Sequence, residues 1–187
     1  MLVKKLIGSE PVYFVVIIWL VYLIDAVLPL NLNLWGIRPR EITGLSGIIF
    51  SPFLHGSFFH IVSNTLPLLI LGSIVRAYGR AIFWGVSLIV IGIGGLFAWF
   101  FSSPGIVIGA SGVIFGYWSF AIVHGLLKRS IKSILLSLFV LLFYGTMIFS
   151  FFSLYVNISW SGHLGGALAG VLCAITLNKM KSKRVSV

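Results

Sequence analysis

A chain of 187 residues that is 59% hydrophobic and 9% charged, with 21 glycines, carries more apolar surface than a water-soluble domain of its size can bury. Ordinary domains are about 45–50% apolar and about 25% charged, so a soluble enzyme, a nucleic-acid binder and a disulfide scaffold are excluded; Cys173, the single cysteine, leaves no internal disulfide. The net charge of +10 comes from 13 Lys and Arg against 3 acidic residues, and the basic residues fall between apolar runs, where they act as topology signals rather than a binding patch.

Apolar stretches of about 20 residues predict six transmembrane helices, at 11–30, 57–76, 81–101, 111–127, 131–152 and 162–178. Lys4 and Lys5 precede the first run as they would in a signal peptide. No small-residue cleavage site follows and Asp25 interrupts the tail, so the run reads as a retained helix. Arg76 and Arg80 lie between spans two and three, and Lys128, Arg129 and Lys132 between four and five. Lys179, Lys181, Lys183 and Arg184 follow span six, while only Arg38 and Arg40 fall on the other side. The positive-inside rule then places both termini in the cytoplasm, as short tails at about 1–10 and 179–187. With no internal repeat or linker, residues 1–187 read as one membrane-embedded domain. The long connection 31–53 is expected to rest in the outer interface, and the apolar tail of 102–110 to dip into the membrane where protein surrounds it.

Polar residues within spans are costly and usually functional or packed inward. His60 and Asn64 open span two one turn apart, Gly109-Ala110-Ser111-Gly112 opens span four, and Gly162-His163 opens span six. Counted back from the inner basic residues Arg76, Lys128 and Lys179, these groups stand about 24, 25 and 24 Å along their helices, against a hydrocarbon core of roughly 30 Å. They therefore share one depth, a few ångströms below the outer surface. Gly112 and Gly116 in span four, and Gly162, Gly166 and Gly170 in span six, are small residues at every fourth position, which let membrane helices approach closely. If the two rows face each other, the Ser111 hydroxyl meets the His163 imidazole, the minimal activated nucleophile. Alone, a serine in a membrane helix reads as a packing residue, and a histidine or asparagine as interhelical hydrogen-bonding glue. Their coincidence at one depth beside close-packing glycines is what favours chemistry.

Together, Gly109-Ala110-Ser111-Gly112, His55-x4-His60-x3-Asn64 and Gly162-His163-x2-Gly166-x3-Gly170, in this order and within six spans, resemble the rhomboid intramembrane serine proteases over nearly the whole chain. The resemblance implies an all-α, rhomboid-like bundle that cleaves single-span membrane proteins near the outer face of the bilayer. It implies Ser111 as nucleophile and His163 as base, without an acidic third member. It also implies an oxyanion hole from the His60 and Asn64 side chains and the Ser111 N–H, with His55 in a structural role. Glu10, Asp25 and Glu41 all lie outside spans two, four and six. Two positions depart from the family pattern: Phe115 stands where many members have a tyrosine, and Gly36-Ile37-Arg38-Pro39-Arg40 stands where many have a Trp-Arg pair.

His124, about 20 Å below Ser111, reads as structural or interfacial. Gly92, Gly94 and Gly95 of span three are expected to pack against a neighbour. Phe151, Phe152, Tyr155 and Trp160 form either an interfacial belt or a lateral gate. No metal or other cofactor is implied, because His-Glu-x-x-His is absent and the histidines lack clustered acidic or cysteine partners. The expected partners are single-span substrates and the lipid bilayer, with no nucleic acid; the location is a prokaryotic plasma membrane. The rival functions are a small transporter, disfavoured by the lack of carboxylates in spans two to six, and a catalytically silent relative that binds membrane helices.

Overall fold

A computed structural model describes residues 9–28, 30–152 and 159–185. The anticipated N-terminal tail with Lys4 and Lys5, and Tyr155, lie outside the described residues, as do the side chains of Phe151, Phe152, Lys181, Lys183 and Arg184. Among the described residues six main helices run in chain order: α1 (Ser9–Val27), α2 (Phe58–Ala77), α3 (Arg80–Phe101), α4 (Ser111–Leu127), α5 (Ile131–Tyr144) and α6 (Trp160–Val185). Among the described residues no strand forms; one isolated bridge joins Ile37 to Val107.

Five of the six anticipated spans are helices long and apolar enough to cross a membrane: Ser9–Val27, Phe58–Ala77, Arg80–Phe101, Ile131–Phe149 and Trp160–Met180. The fourth, α4, has only 17 residues. At 1.5 Å per residue it reaches about 25 Å, less than a hydrocarbon core of roughly 30 Å. Its residues from Val113 to Ala121 are all buried, which explains an apolar character on every side.

The helix boundaries follow local chemistry. Ser57 caps α2, its hydroxyl accepting the His60 N–H at 3.2 Å, and Ser130 caps α5 by accepting the Ser133 N–H. α1 ends at Val27, three residues short of the anticipated boundary. There the Asp25 carboxylate accepts from the Leu32 N–H at 2.7 Å and the Asn33 amide at 3.2 Å, drawing the chain out of the helix. α3 is not uniform: residues Val90–Gly94 open into a π-helical turn, and α5 tightens into a 3₁₀ segment over Gly145–Phe152.

Because lipid is as apolar as leucine, close packing and interhelical hydrogen bonds hold such a bundle together. The Tyr117 and Ser87 hydroxyls meet at 2.6 Å between α4 and α3, and the Ser119 hydroxyl donates to the Ala167 carbonyl at 2.7 Å between α4 and α6. Trp19 Nε1 donates to Thr65 Oγ1 at 3.0 Å, joining α1 to α2. At one end of this pair the buried Glu10 carboxylate bridges Arg76 at 2.6 Å and Arg80 at 3.0 Å, while Lys128 lies 5.5 Å from the Tyr78 ring centre. Arg76, Arg80 and Lys128, at the ends of α2, α3 and α4, are therefore gathered at one end of the bundle. Tyr13, Val16, Leu20 and Ile24 of α1 point outward and are exposed, as a lipid-facing stripe requires.

The connection 31–53 is folded against α3. Arg40 donates to the carbonyls of Phe100 at 3.1 Å and Ser102 at 2.8 Å, and Trp99 Nε1 donates to the Glu41 carbonyl at 2.8 Å. Ile42 and Ile49 stand out from it, 84% and 62% exposed, which gives the connection an apolar outer surface. Of the three glycines of α3 expected to pack, Gly94 abuts Gly166 and Gly95 abuts Ile48. Gly92 faces open space, so that expectation is corrected there.

Candidate active site

The glycine rows of α4 and α6 interlock. A Cβ at Gly166 would fall on the Gly112 carbonyl oxygen, and one at Gly170 on the Gly116 carbonyl oxygen and the Ser119 hydroxyl. The Gly162 carbonyl sits 3.2 Å from where a Gly112 Cβ would be. This backbone-to-backbone approach brings the starts of the two helices together. Ser111 Oγ and His163 Nε2 lie 2.9 Å apart, a hydrogen bond between residues 52 apart in sequence.

The imidazole of His163 is buried, and Phe115 stacks on it with ring centres 4.3 Å apart and planes inclined by 21°. Its Nδ1 is buried and makes no hydrogen bond within the described residues, so no acid supports it there. With the ring proton on Nδ1, the Nε2 lone pair is free to accept from the serine hydroxyl.

Ser111 is the first residue of α4, and its N–H belongs to a first turn that has no intrahelical acceptor. The helix dipole adds partial positive charge at this point, which favours an anion. The loop leading into it is held from three sides. The Gly109 N–H donates to the Ser51 carbonyl at 2.8 Å, the Ala110 N–H donates to His55 Nε2 at 3.4 Å, and the His60 ring packs on Gly109. Gly109 has φ +113°, and a Cβ there would lie 2.5 Å from His60 Nε2; conformation and space both require glycine.

His55 and His60 are ring neighbours, with centres 4.9 Å apart. Burial, reinforced by the neighbouring His60, pushes the His55 pKa down to about 4, so its ring is neutral and able to accept from Ala110. Asn64 is buried one turn along α2 and donates to the His60 carbonyl at 2.9 Å. That bond uses one of the two amide protons and orients the side chain.

The sequence-derived residues Ser111, His163, His60, Gly109, Gly112, Phe115, Gly162 and Gly166 converge at this end of α2, α4 and α6; His55 and Asn64 flank it, and Gly170 lies one turn further along α6. His124 does not join them: it is buried near the opposite end of α4, stacked on Phe120 at 5.1 Å and edge-on to Tyr78 at 4.7 Å. Sequence reasoning missed Ser102, Ser159 and Ser161, whose hydroxyls cluster at the start of α6. It also missed the contact of Arg40 with the end of α3. Among the described residues no group of histidine, cysteine and carboxylate side chains could hold a metal ion.

A rhomboid domain model matches residues 39–180. The chain belongs to the rhomboid family. Similar proteins occur in mycobacteria. Uncharacterized proteins of Mycobacterium bovis and Mycobacterium tuberculosis are each 38% identical over 186 residues, covering 94% of this chain and 77% of theirs. An uncharacterized protein of Mycobacterium leprae is 35% identical over 185 residues, covering 94% and 73%. The rhomboid described here is thus a multi-pass integral membrane protein of a family associated with intramembrane serine proteolysis.

Proposed function

We propose that this rhomboid is an intramembrane serine endopeptidase that cuts single-span membrane proteins near the outer face of a prokaryotic plasma membrane. In this reading residues 1–187 form one domain, α1 to α6 all cross the bilayer, and both termini are cytoplasmic, as the basic residues at alternate connections require. The observation that carries the proposal is the 2.9 Å contact between Ser111 Oγ and His163 Nε2 at the N-terminus of α4.

The reaction follows from these atoms. Ser111 Oγ attacks the scissile carbonyl carbon while His163 Nε2 takes the hydroxyl proton. The oxyanion that develops is met by the Ser111 N–H and by donors from His60 and Asn64, preorganised where water is scarce. When the C–N bond breaks, His163 passes its proton to the leaving amine, and an acyl ester remains on Ser111. Water then attacks the ester, gives a proton to His163, and the acid product departs as that proton returns to Oγ. A cavity of about 40 Å³ borders Ser111, lined also by Val90, Gly94, Ala98 and Gly112.

Reconstitution with a single-span substrate tests this reading. The parent protein cuts it near the outer membrane face, and Ser111→Ala leaves it whole. A Ser111→Ala variant that cuts as well as the parent would show that the chemistry lies elsewhere.

A further inference from the structure

The first turn of α6 is held from two sides. On the α4 side the Gly162 carbonyl rests against Gly112. On the α3 side lies a ring of three serine hydroxyls. Ser102 Oγ is 2.5 Å from Ser161 Oγ and 3.2 Å from Ser159 Oγ, and Ser159 and Ser161 are 3.3 Å apart. Ser161 is 0% exposed and Ser102 4%, so these hydroxyls answer to one another rather than to solvent. Each can donate to one member and accept from another, and a closed, satisfied network of this kind rigidifies the backbone that carries it.

That backbone is the one that presents His163. Ser159 Oγ accepts the Gly162 N–H at 3.2 Å, and the Ser159 carbonyl accepts the His163 N–H at 3.1 Å. Ser102 in turn is fixed to α3 by its N–H to the Ala98 carbonyl at 2.9 Å, and to the first connection by its carbonyl, which accepts from Arg40 at 2.8 Å. A continuous path therefore runs from Arg40 through Ser102 and Ser161 to the peptide units beside His163. Apolar packing alone would be met equally well by alanine at Ser102 and Ser161, without the cost of burying hydroxyls.

We infer that Ser102, Ser159 and Ser161 are positioning residues that set His163 Nε2 at hydrogen-bond distance from Ser111 Oγ. The inference rests on the proteolytic reading of the site. A catalytic pair tolerates about 0.5 Å of slack, and a misplacement of about 1 Å costs on the order of 10²-fold in rate. Loss of one hydroxyl leaves the glycine interlock of α4 and α6 in place, so its effect falls on turnover more than on folding.

The test compares Ser161→Ala, Ser102→Ala, the double variant and Ser161→Cys in the full chain. Three quantities are followed: labelling of Ser111 by a fluorophosphonate, cleavage of a single-span substrate, and the thermal unfolding midpoint. Each alanine variant is expected to lower labelling and kcat by about tenfold or more, with KM within about twofold and the midpoint nearly unchanged. The double variant should be little worse than either single one, because the ring acts as a unit. Cysteine fills the same space but bonds weakly, so Ser161→Cys should not recover the parental rate. Parental labelling in both alanine variants, or losses that multiply in the double variant, overturns the inference while leaving the protease reading intact. If either single variant fails to fold, the other decides alone. If the parent itself is not labelled at Ser111, the protease reading fails and the inference falls with it.

Discussion

Phe115 lies one helical turn below Ser111 and covers the His163 ring face, with the two ring centres 4.3 Å apart and the planes 21° from parallel. The contact lets α4 supply both the hydroxyl that His163 bonds and the surface against which its imidazole rests. Phe115 is itself buried, so truncation leaves a void directly under the histidine. Phe115→Ala should lower cleavage by about tenfold or more, while Phe115→Tyr, which keeps the ring, should stay within a few-fold of the parent. An alanine variant with parental turnover would show that the stacking has no catalytic consequence.

In the proposed reaction Asn64 acts on the oxyanion through the amide proton it does not give to the His60 carbonyl. Removing one preorganised donor typically costs about 10²–10³-fold in kcat. Asn64→Ala should show a loss in that range with little change in KM. A loss of thermal stability with kcat unaltered would instead mark Asn64 as a helix-packing residue.

The interlock of α4 and α6 predicts opposite outcomes at two glycines. Gly166→Ala drives a methyl group onto the Gly112 carbonyl, so the helices must separate; destabilisation of about 1–3 kcal/mol and slower chemistry at Ser111 are expected. Gly92→Ala meets nothing within 4 Å and should be neutral or slightly stabilising. Thermal unfolding of both variants in the same detergent is the measurement, and equal midpoints would contradict the packing assigned to Gly166.

The features legible in the sequence were those with a repeating pattern. Glycines every fourth residue pointed to the α4–α6 contact, and the polar groups Ser111, His163, His60 and Asn64 stood out because apolar helices surround them. The serine ring was hidden for the opposite reason. Ser102 and Ser161 are 59 positions apart, lie at helix ends, and match no periodic template among twenty serines. Arg40 reads in the sequence as an outer-side charge within Gly36-Ile37-Arg38-Pro39-Arg40, whereas its guanidinium ties the first connection to Phe100 and Ser102. Glu10 likewise carried no pattern, although it staples the start of α1 to Arg76 and Arg80. The π-helical turn over Val90–Gly94 has no signature in local propensity.

His55 makes acid a stress on the loop that precedes Ser111. Its pKa falls from an ordinary 6.5 to about 4, through burial first and the nearby His60 second, so the folded protein favours the neutral ring. The stabilisation is complete above about pH 6.5 and is lost as pH falls toward 4; the full shift amounts to roughly 3 kcal/mol. The unfolding midpoint should therefore drop between about pH 6.5 and pH 4, and His55→Gln should flatten that slope while lowering the midpoint at neutral pH. An unchanged slope in His55→Gln would assign the acid sensitivity to other groups.

The central claim is that Ser111 is a nucleophile activated by His163, and a fluorophosphonate probe followed by mapping of the modified residue addresses it most directly. Of the twenty serines, only one beside a base and facing oxyanion donors should react. The account predicts modification at Ser111 alone, none in Ser111→Ala, and a sharp loss in His163→Ala, with both variants inserted and folded. Labelling should rise from acid toward neutral pH, because a protonated imidazole cannot take the hydroxyl proton. A folded parent protein that resists the probe, or one labelled equally well after His163→Ala, would contradict it.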